Sequence, residues 1–319
     1  MSESYNTLGK YRASAFGELN YSVEDTEPEF RIIMPENRIL KPALGLPYFV
    51  NYGFSTGANG DYRNMAFPYG DYDQVMQNRN GFAEAAGMNL SEMVFMSPVH
   101  GTRAVVVGDE QRGLGAYKAN GIARTDSLMT SRKRVGLALN AADCIPGIVA
   151  DRKGKVALFH GGREGTMANI AAHTVRAMNL MWASNPEDLF IALGPAVCRD
   201  HYALPYLLTD NPEVDGEYLK LTSETAKISI DKVTSGPSIG KFKVSPSDTE
   251  YFTFDLQAKT IDQLKAVGIP TEQIKDSGLC TVELSKNATF PSHLMTRIHH
   301  SATGNYPESR FTTWVQIKD

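Results

Sequence analysis

Three residues capable of chemistry stand where an apolar run breaks into a turn: His100 in FMSPVHGT, Cys144 in LNAADCIP and His160 in ALFHGGREG. Two imidazoles and one thiolate make the open, three-ligand set that zinc uses for catalysis, the fourth position being left to water or substrate. The ligands are far apart in sequence and lack the paired spacing of a structural zinc finger, so a catalytic role is expected. Asp126 (RTDSLMT) and Asp143, beside Cys144, are the carboxylates available to orient ligands or transfer protons. An unpaired aspartate is costly in a core, so Asp143 is expected to face a cleft. Gly161 and Gly162 let backbone approach a ligand closely, and the helix expected to start at Arg163 offers free N–H groups to an anion. Each residue also has a plainer reading: Cys144 as a packed thiol, His160 as a capping histidine, His100 as a surface turn residue.

His293 (FPSHLMTR) and Arg297 are further candidates. The adjacent His299 and His300 would point opposite ways on a strand and make no natural chelate. His173 falls within a helix and reads as structural, and Cys198 and Cys280 read as packed thiols.

The elements that must position these groups follow from periodicity. Residues 72–87 read as a helix ending at Gly87. Strand-like runs follow at 92–97, 103–107 and 135–139. Residues 146–160 read as a hairpin turning at Asp151-Arg152-Lys153-Gly154. The spacing of Met167, Ile170, Ala171, Val175, Met178 and Trp182 predicts one helix over 164–183. A strand at 189–195, a polar excursion over 210–250, a helix from Asp255 to Val267 capped by Gly268, and a tail of strands and loops complete the chain. The class is α/β or α+β with mixed sheets. Residues 1–48 read as an extension packed on a single domain spanning 49–319.

Composition narrows the partners. With 319 residues, 42% apolar and 21% charged, the chain has the make-up of a soluble globular protein. A formal charge of −4 offers no basic footprint for nucleic acid. No apolar run is long enough to span a membrane, and the first residues lack the features of a signal peptide. Three cysteines without a CxxC pair fit a reducing compartment, so a cytoplasmic location is expected.

At the same residues the chain resembles the YfiH-like family, often labelled laccase-domain or polyphenol oxidoreductase proteins. The family's QVHG, A-D-A/G, TADC, HAGWRG and LGPxIG segments have ordered counterparts in PVHG (98–101), RTDSLMT (124–130), AADC (141–144), HGGREG (160–165) and LGPAVC (193–198). Weaker matches lie at GFSTGANGDYRNMAF (53–67), LCT (279–281) and FPSH (290–293). The resemblance implies a compact α/β fold of sandwiched sheets and helices, shared with the deamidase domain of cytotoxic necrotizing factor. It implies zinc held by His100, Cys144 and His160, with copper a less favoured metal; Asn64, Arg163 and His293 are the candidate contacts for a small substrate. The activities it implies are adenosine deamination and phosphorolysis of purine nucleosides; some members resemble amidases that edit peptidoglycan precursors. Two arginines of the family pattern are missing: Gly57 stands in the FSTR segment, and Arg163-Glu164-Gly165 replaces WRG. If those arginines hold phosphate, phosphorolysis is weakened and water becomes the preferred nucleophile.

Three functions stay open on the residues. One is a zinc-dependent purine nucleoside hydrolase or transferase, with Asp126, Asp143, Cys144 and His160 as its catalytic groups. The second is a metal-free cysteine hydrolase or amidase with Cys144 as nucleophile and His160 as base. The third is a degenerate nucleoside-binding protein without turnover. A laccase in the strict sense is not expected from seven histidines with no HxH pair.

Overall fold

The computed structural model describes residues 39–58, 60–205, 251–299 and 307–318. Two mixed six-stranded sheets lie face to face between helices. The first sheet takes β1 (Ile39–Leu40), β2 (Val50–Ser55), β3 (Met93–Ser97), β5 (Ile122–Ala123), β7 (Gly136–Ala141) and β14 (Phe311–Ile317). Its spatial order is β1-β2-β14-β7-β3-β5. The second takes β4 (Ala104–Val106), β6 (Ser127–Thr130), β8 (Ile145–Asp151), β9 (Lys155–Gly161), β10 (Leu189–Leu193) and β13 (Ile274–Asp276), ordered β13-β10-β8-β9-β6-β4. A two-stranded ribbon of β11 (Ala203–Pro205) and β12 (Tyr251–Thr253) stands apart.

Strand alternation explains the layers. Val156 and Leu158 of β9 pack with Leu137 and Leu139 of β7 and Val315 of β14 between the sheets. Ala157 and Phe159 face the opposite way, onto helices α3 (Ile170–Trp182) and α4 (Leu256–Ala266). On the far face of the first sheet, Phe82 and Ala86 of α1 (Tyr72–Ala86) pack with Phe95, Ala138 and Trp314. The result is a helix–sheet–sheet–helix sandwich, in which the inter-sheet seam is apolar and buried.

The helix at α1 starts under the Asp71 side chain, which accepts the amides of Asp73 and Gln74, and ends at Gly87 with φ 67°. The expected hairpin forms, with β8 pairing β9 from Ile145↔Gly161 to Asp151↔Lys155. The single helix expected over 164–183 is two: α2 (Arg163–Met167) and α3, broken at Asn169, which turns left-handed at φ 65°. Asparagine tolerates that region, and the apolar spacing runs on through the break, so periodicity could not register it. The tail expected to be strands and loops also carries α5 (Thr281–Ser285) and α6 (His293–His299). Within the expected extension, Ile39 and Leu40 pair with Ser55 and Phe54 and are buried; residues 1–38 and the whole of the 210–250 excursion lie outside the described residues.

Candidate metal centre

The chain leaves the first sheet at the end of β7 and enters the second at β8, crossing through Ala142, Asp143 and Cys144. This corner is tight: Asp143 sits at φ 75°, and its backbone carbonyl accepts the amide of Val197 at 2.9 Å. Cys144 is thereby held, half-buried, at one end of the inter-sheet seam. His160 is the penultimate residue of β9, opposite Pro146 of β8. It lies in phase with Val156 and Leu158, so it points toward the same seam. His100 comes from the loop after β3, in a left-handed turn of φ 60°.

Asp126 holds that turn. Its buried carboxylate accepts the amides of His100 and Gly101, each at 2.9 Å, and that of Val99 at 3.2 Å. The same group meets His160 Nδ1 at 3.0 Å. Burial opposes its charge, but the bonds from His160 and from the Gly101 amide hold it below the usual carboxylate range. With Nδ1 committed to Asp126, Nε2 is the ring nitrogen of His160 left for the seam.

The ligand atoms of His100, Cys144 and His160 lie within 4.8 Å of one another. Burial opposes a charge on His160, yet the Cys144 sulfur and the Asp126 carboxylate outweigh it and raise the imidazole to about 9. Burial and the neighbouring His160 lower His100 instead. Gly162 keeps the space between the ligands open: a Cβ there would stand 2.2 Å from His100 Nδ1 and 3.1 Å from Cys144 Sγ. Two imidazoles, one oriented by a carboxylate, and a thiol around a gap that only glycine leaves free fit a borderline-soft divalent cation such as zinc. His100 and Cys144 are solvent-accessible, so such a centre is open on one side.

The other expected residues are placed differently. Asp143 is buried rather than facing a cleft, because Thr281 Oγ1 donates to its carboxylate at 2.6 Å and the Leu294 amide at 2.7 Å. Those bonds offset the cost that pointed to a cleft, while burial raises its pKa. Arg163 donates to Glu164 at 2.7 Å. His293 pairs with Glu308 at 2.9 Å. Asn64 braces its own loop: its side-chain oxygen accepts the amides of Ala66 and Arg310. His173 is exposed on α3. The side chains of Arg297, His299 and His300 lie outside the described residues.

Sequence reasoning passed over Glu164, whose carboxylate is 3.5 Å from His100 Nδ1. The signal was present, since an acid stands where the family pattern has an arginine. It also passed over a second cluster, in which Cys198 and Cys280 adjoin His201 and Glu283 with ligand atoms within 4.8 Å of one another. Both cysteines pack against the core, as expected, and His201 and Glu283 adjoin them.

A double mixed sheet faced by helices, with a His-Cys-His corner, is the arrangement expected of the YfiH-like family. The family described as multi-copper polyphenol oxidoreductase laccase matches residues 51–307, and the chain belongs to it. Two relatives bear the name purine nucleoside phosphorylase YlmD. The one from Geobacillus stearothermophilus is 31% identical over 233 residues, covering 72% of this chain and 77% of its own length. The one from Bacillus subtilis is 28% identical over 221 residues, covering 69% and 71%. Among solved structures, YlmD from Geobacillus stearothermophilus superposes with a TM-score of 0.69 at 24% identity over 92% of this chain and 98% of that one. The hypothetical protein YfiH from Bacillus licheniformis gives 0.69 at 24% identity over 91% and 99%. These two likenesses show the fold, and the expected YfiH-like sandwich is borne out.

Proposed function

We propose that this chain is a zinc-dependent enzyme acting on purine nucleosides, with water favoured over phosphate as the second reactant. The observation that carries the reading is the convergence of His100, Cys144 and His160 within 4.8 Å behind one carboxylate, Asp126. The names of the YlmD relatives supply the substrate class.

When bound, zinc would polarise water or the scissile centre. His100, Cys144 and His160 would hold it, and Asp126 would fix the His160 ring and the His100 turn together. Asp143, tied to Thr281 and Leu294, would act as a positioning residue for the corner that carries Cys144. Glu164 is the carboxylate with access to the open side, placed to accept a proton there.

The preference for water rests on charge and space. Glu164 stands beside His100 where the family pattern has an arginine, and it occupies Arg163 in an ion pair. At the other lost arginine, a Cβ on Gly57 would stand 2.1 Å from the Ala288 carbonyl oxygen and 2.3 Å from that of Asp61. Neither position offers the bidentate guanidinium that phosphate favours.

Incubating metal-loaded protein with adenosine or inosine, with and without inorganic phosphate, tests this. Inosine from adenosine, or free base in phosphate-free buffer, is the expected result. Strictly phosphate-dependent release of base would overturn the preference for water, and no turnover with tight binding would point to a nucleoside-binding protein. Metal analysis of the protein as purified, before any metal is added, decides between zinc and the copper suggested by the family's description.

One further reading has its own support. His160 lies between the Cys144 sulfur and Asp126, which is also the array of a cysteine hydrolase. Iodoacetamide-sensitive turnover untouched by chelators would select it over the zinc enzyme.

A further inference from the structure

We propose that Cys198, His201, Cys280 and Glu283 form a second, closed zinc site that clamps the loop after β10 to the start of α5. The four residues come as two half-sites of equal spacing, Cys198-x-x-His201 and Cys280-x-x-Glu283. Each cysteine stands just before a single turn of helix, and the second ligand lies within that turn: a 3-10 turn at Arg199–His201 and α5 at Thr281–Ser285. Paired ligands presented by two turns are the pattern of structural zinc, in contrast to the three scattered ligands of the first centre.

The distances suit one ion. Cys198 Sγ is 3.0 Å and Cys280 Sγ 3.5 Å from His201 Nδ1, which is 3.6 Å from Glu283 Oε1. Ligand atoms around a tetrahedral zinc with bonds of 2.0–2.3 Å are about 3.3–3.8 Å apart, so little rearrangement is needed. The amide of Cys198 points at Cys280 Sγ, 3.4 Å away, and an N–H directed at a ligand sulfur stabilises its thiolate form. A packed-thiol account explains the two cysteines but not the imidazole and the carboxylate gathered on them.

The backbone already holds the halves in register. Ala196 and Cys280 form a parallel bridge, with Ala196 N donating to Leu279 O at 3.1 Å and Thr281 N donating to Ala196 O at 3.0 Å. The clamp is built into the chain on both sides of Asp143. Val197, next to Cys198, donates its amide to the Asp143 carbonyl, and Thr281, next to Cys280, donates its hydroxyl to the Asp143 carboxylate. A cation here would therefore stiffen the corner that presents Cys144 without touching substrate. It would also anchor β11, which starts two residues after His201.

The inference does not depend on the chemistry of the first centre, and its test reads thiols and metal rather than turnover. In full-length Cys144→Ala purified under reducing conditions with zinc, Cys198 and Cys280 are the only cysteines left. The expected result is about one zinc per chain in this variant. Both thiols should react with Ellman's reagent at least ten-fold faster once a strong chelator is added. Replacing zinc by cobalt in the same variant should give thiolate charge-transfer absorption near the ultraviolet edge, weakened in the further variants Glu283→Gln and His201→Gln. No zinc in Cys144→Ala, thiols whose reactivity is indifferent to chelator, or a mass short of two hydrogens from a Cys198–Cys280 disulfide would each overturn the proposal.

Discussion

One oxygen of Asp126 serves both histidines of the candidate centre: Oδ1 meets His160 Nδ1 at 3.0 Å and accepts the His100 amide at 2.9 Å. A single buried carboxylate therefore sets a side chain on a strand of one sheet and a backbone turn that follows a strand of the other. Asp126→Asn keeps the size but turns an NH2 group toward the donors on one of the two oxygens, either His160 Nδ1 and the His100 amide on Oδ1 or the Gly101 amide on Oδ2. Metal affinity should fall about 10–100-fold, as when such orienting partners are lost elsewhere, and competition with a chromogenic chelator measures it. An unchanged affinity would show that Asp126 does not orient the ligands.

Gly162 leaves the gap between His100 and Cys144 open. Gly162→Ala would place a methyl 2.2 Å from His100 Nδ1, far inside contact distance. The expected outcome is loss of metal from the first centre with little change in the melting temperature of the metal-free protein, because His100 is exposed and can swing aside. Metal retained at wild-type level would mean that the ligand set does not close over this glycine.

Gly57 cannot be restored to the arginine of the family pattern. Ala288 and Asp61 carbonyls and the Tyr62 Cα (2.7 Å) surround its missing Cβ, and these are backbone atoms that cannot rotate away. Gly57→Ala should cost on the order of 1–3 kcal/mol, read as a lower urea midpoint. Gly57→Arg should destabilise further and gain no phosphate dependence. Should Gly57→Arg fold normally and become phosphate-dependent, the steric argument is wrong.

Much of this geometry is visible in the chain, and some of it is not. Hairpin strands around Asp151–Gly154, the α1 helix with its Gly87 cap, and the three ligand-bearing turns are local patterns, so periodicity and turn chemistry reveal them. The break at Asn169 hides inside an unbroken apolar spacing. The second cysteine cluster depends on the Ala196↔Cys280 bridge, a pairing across more than eighty positions that no local pattern encodes. Asp143 misled for a physical reason: its cost in the core is real, but the donors that offset it come from Thr281 and Leu294, distant in sequence.

Asp276, at the end of β13, has its carboxyl raised to about 6 by burial. The folded state then binds a proton that the unfolded state, with a carboxyl near 3.9, does not hold between about pH 4 and 6. This group's contribution favours folding at low pH and is lost as pH rises through 6. Asp276→Asn preserves the acceptor for the Gly278 amide, 3.0 Å away, and removes the penalty. Stability at pH 7.5 should rise by about 1 kcal/mol, discounted because the side chain is only half-buried. The gain should vanish near pH 4, and thermal melts across that range read both quantities.

The position of β14 has a consequence for synthesis. It lies between β2 and β7 in the first sheet, yet it begins at Phe311, about 170 residues after β7 ends at Ala141; at 5–20 residues per second the ribosome takes roughly 10–30 s to cover that distance. Through that interval the nascent chain carries two half-paired strands whose apolar faces, with Phe54, Leu137 and Leu139, await a central partner. The protein thus stays open to aggregation and to chaperones until the last strand emerges, and its corner at Cys144 is made early but braced late.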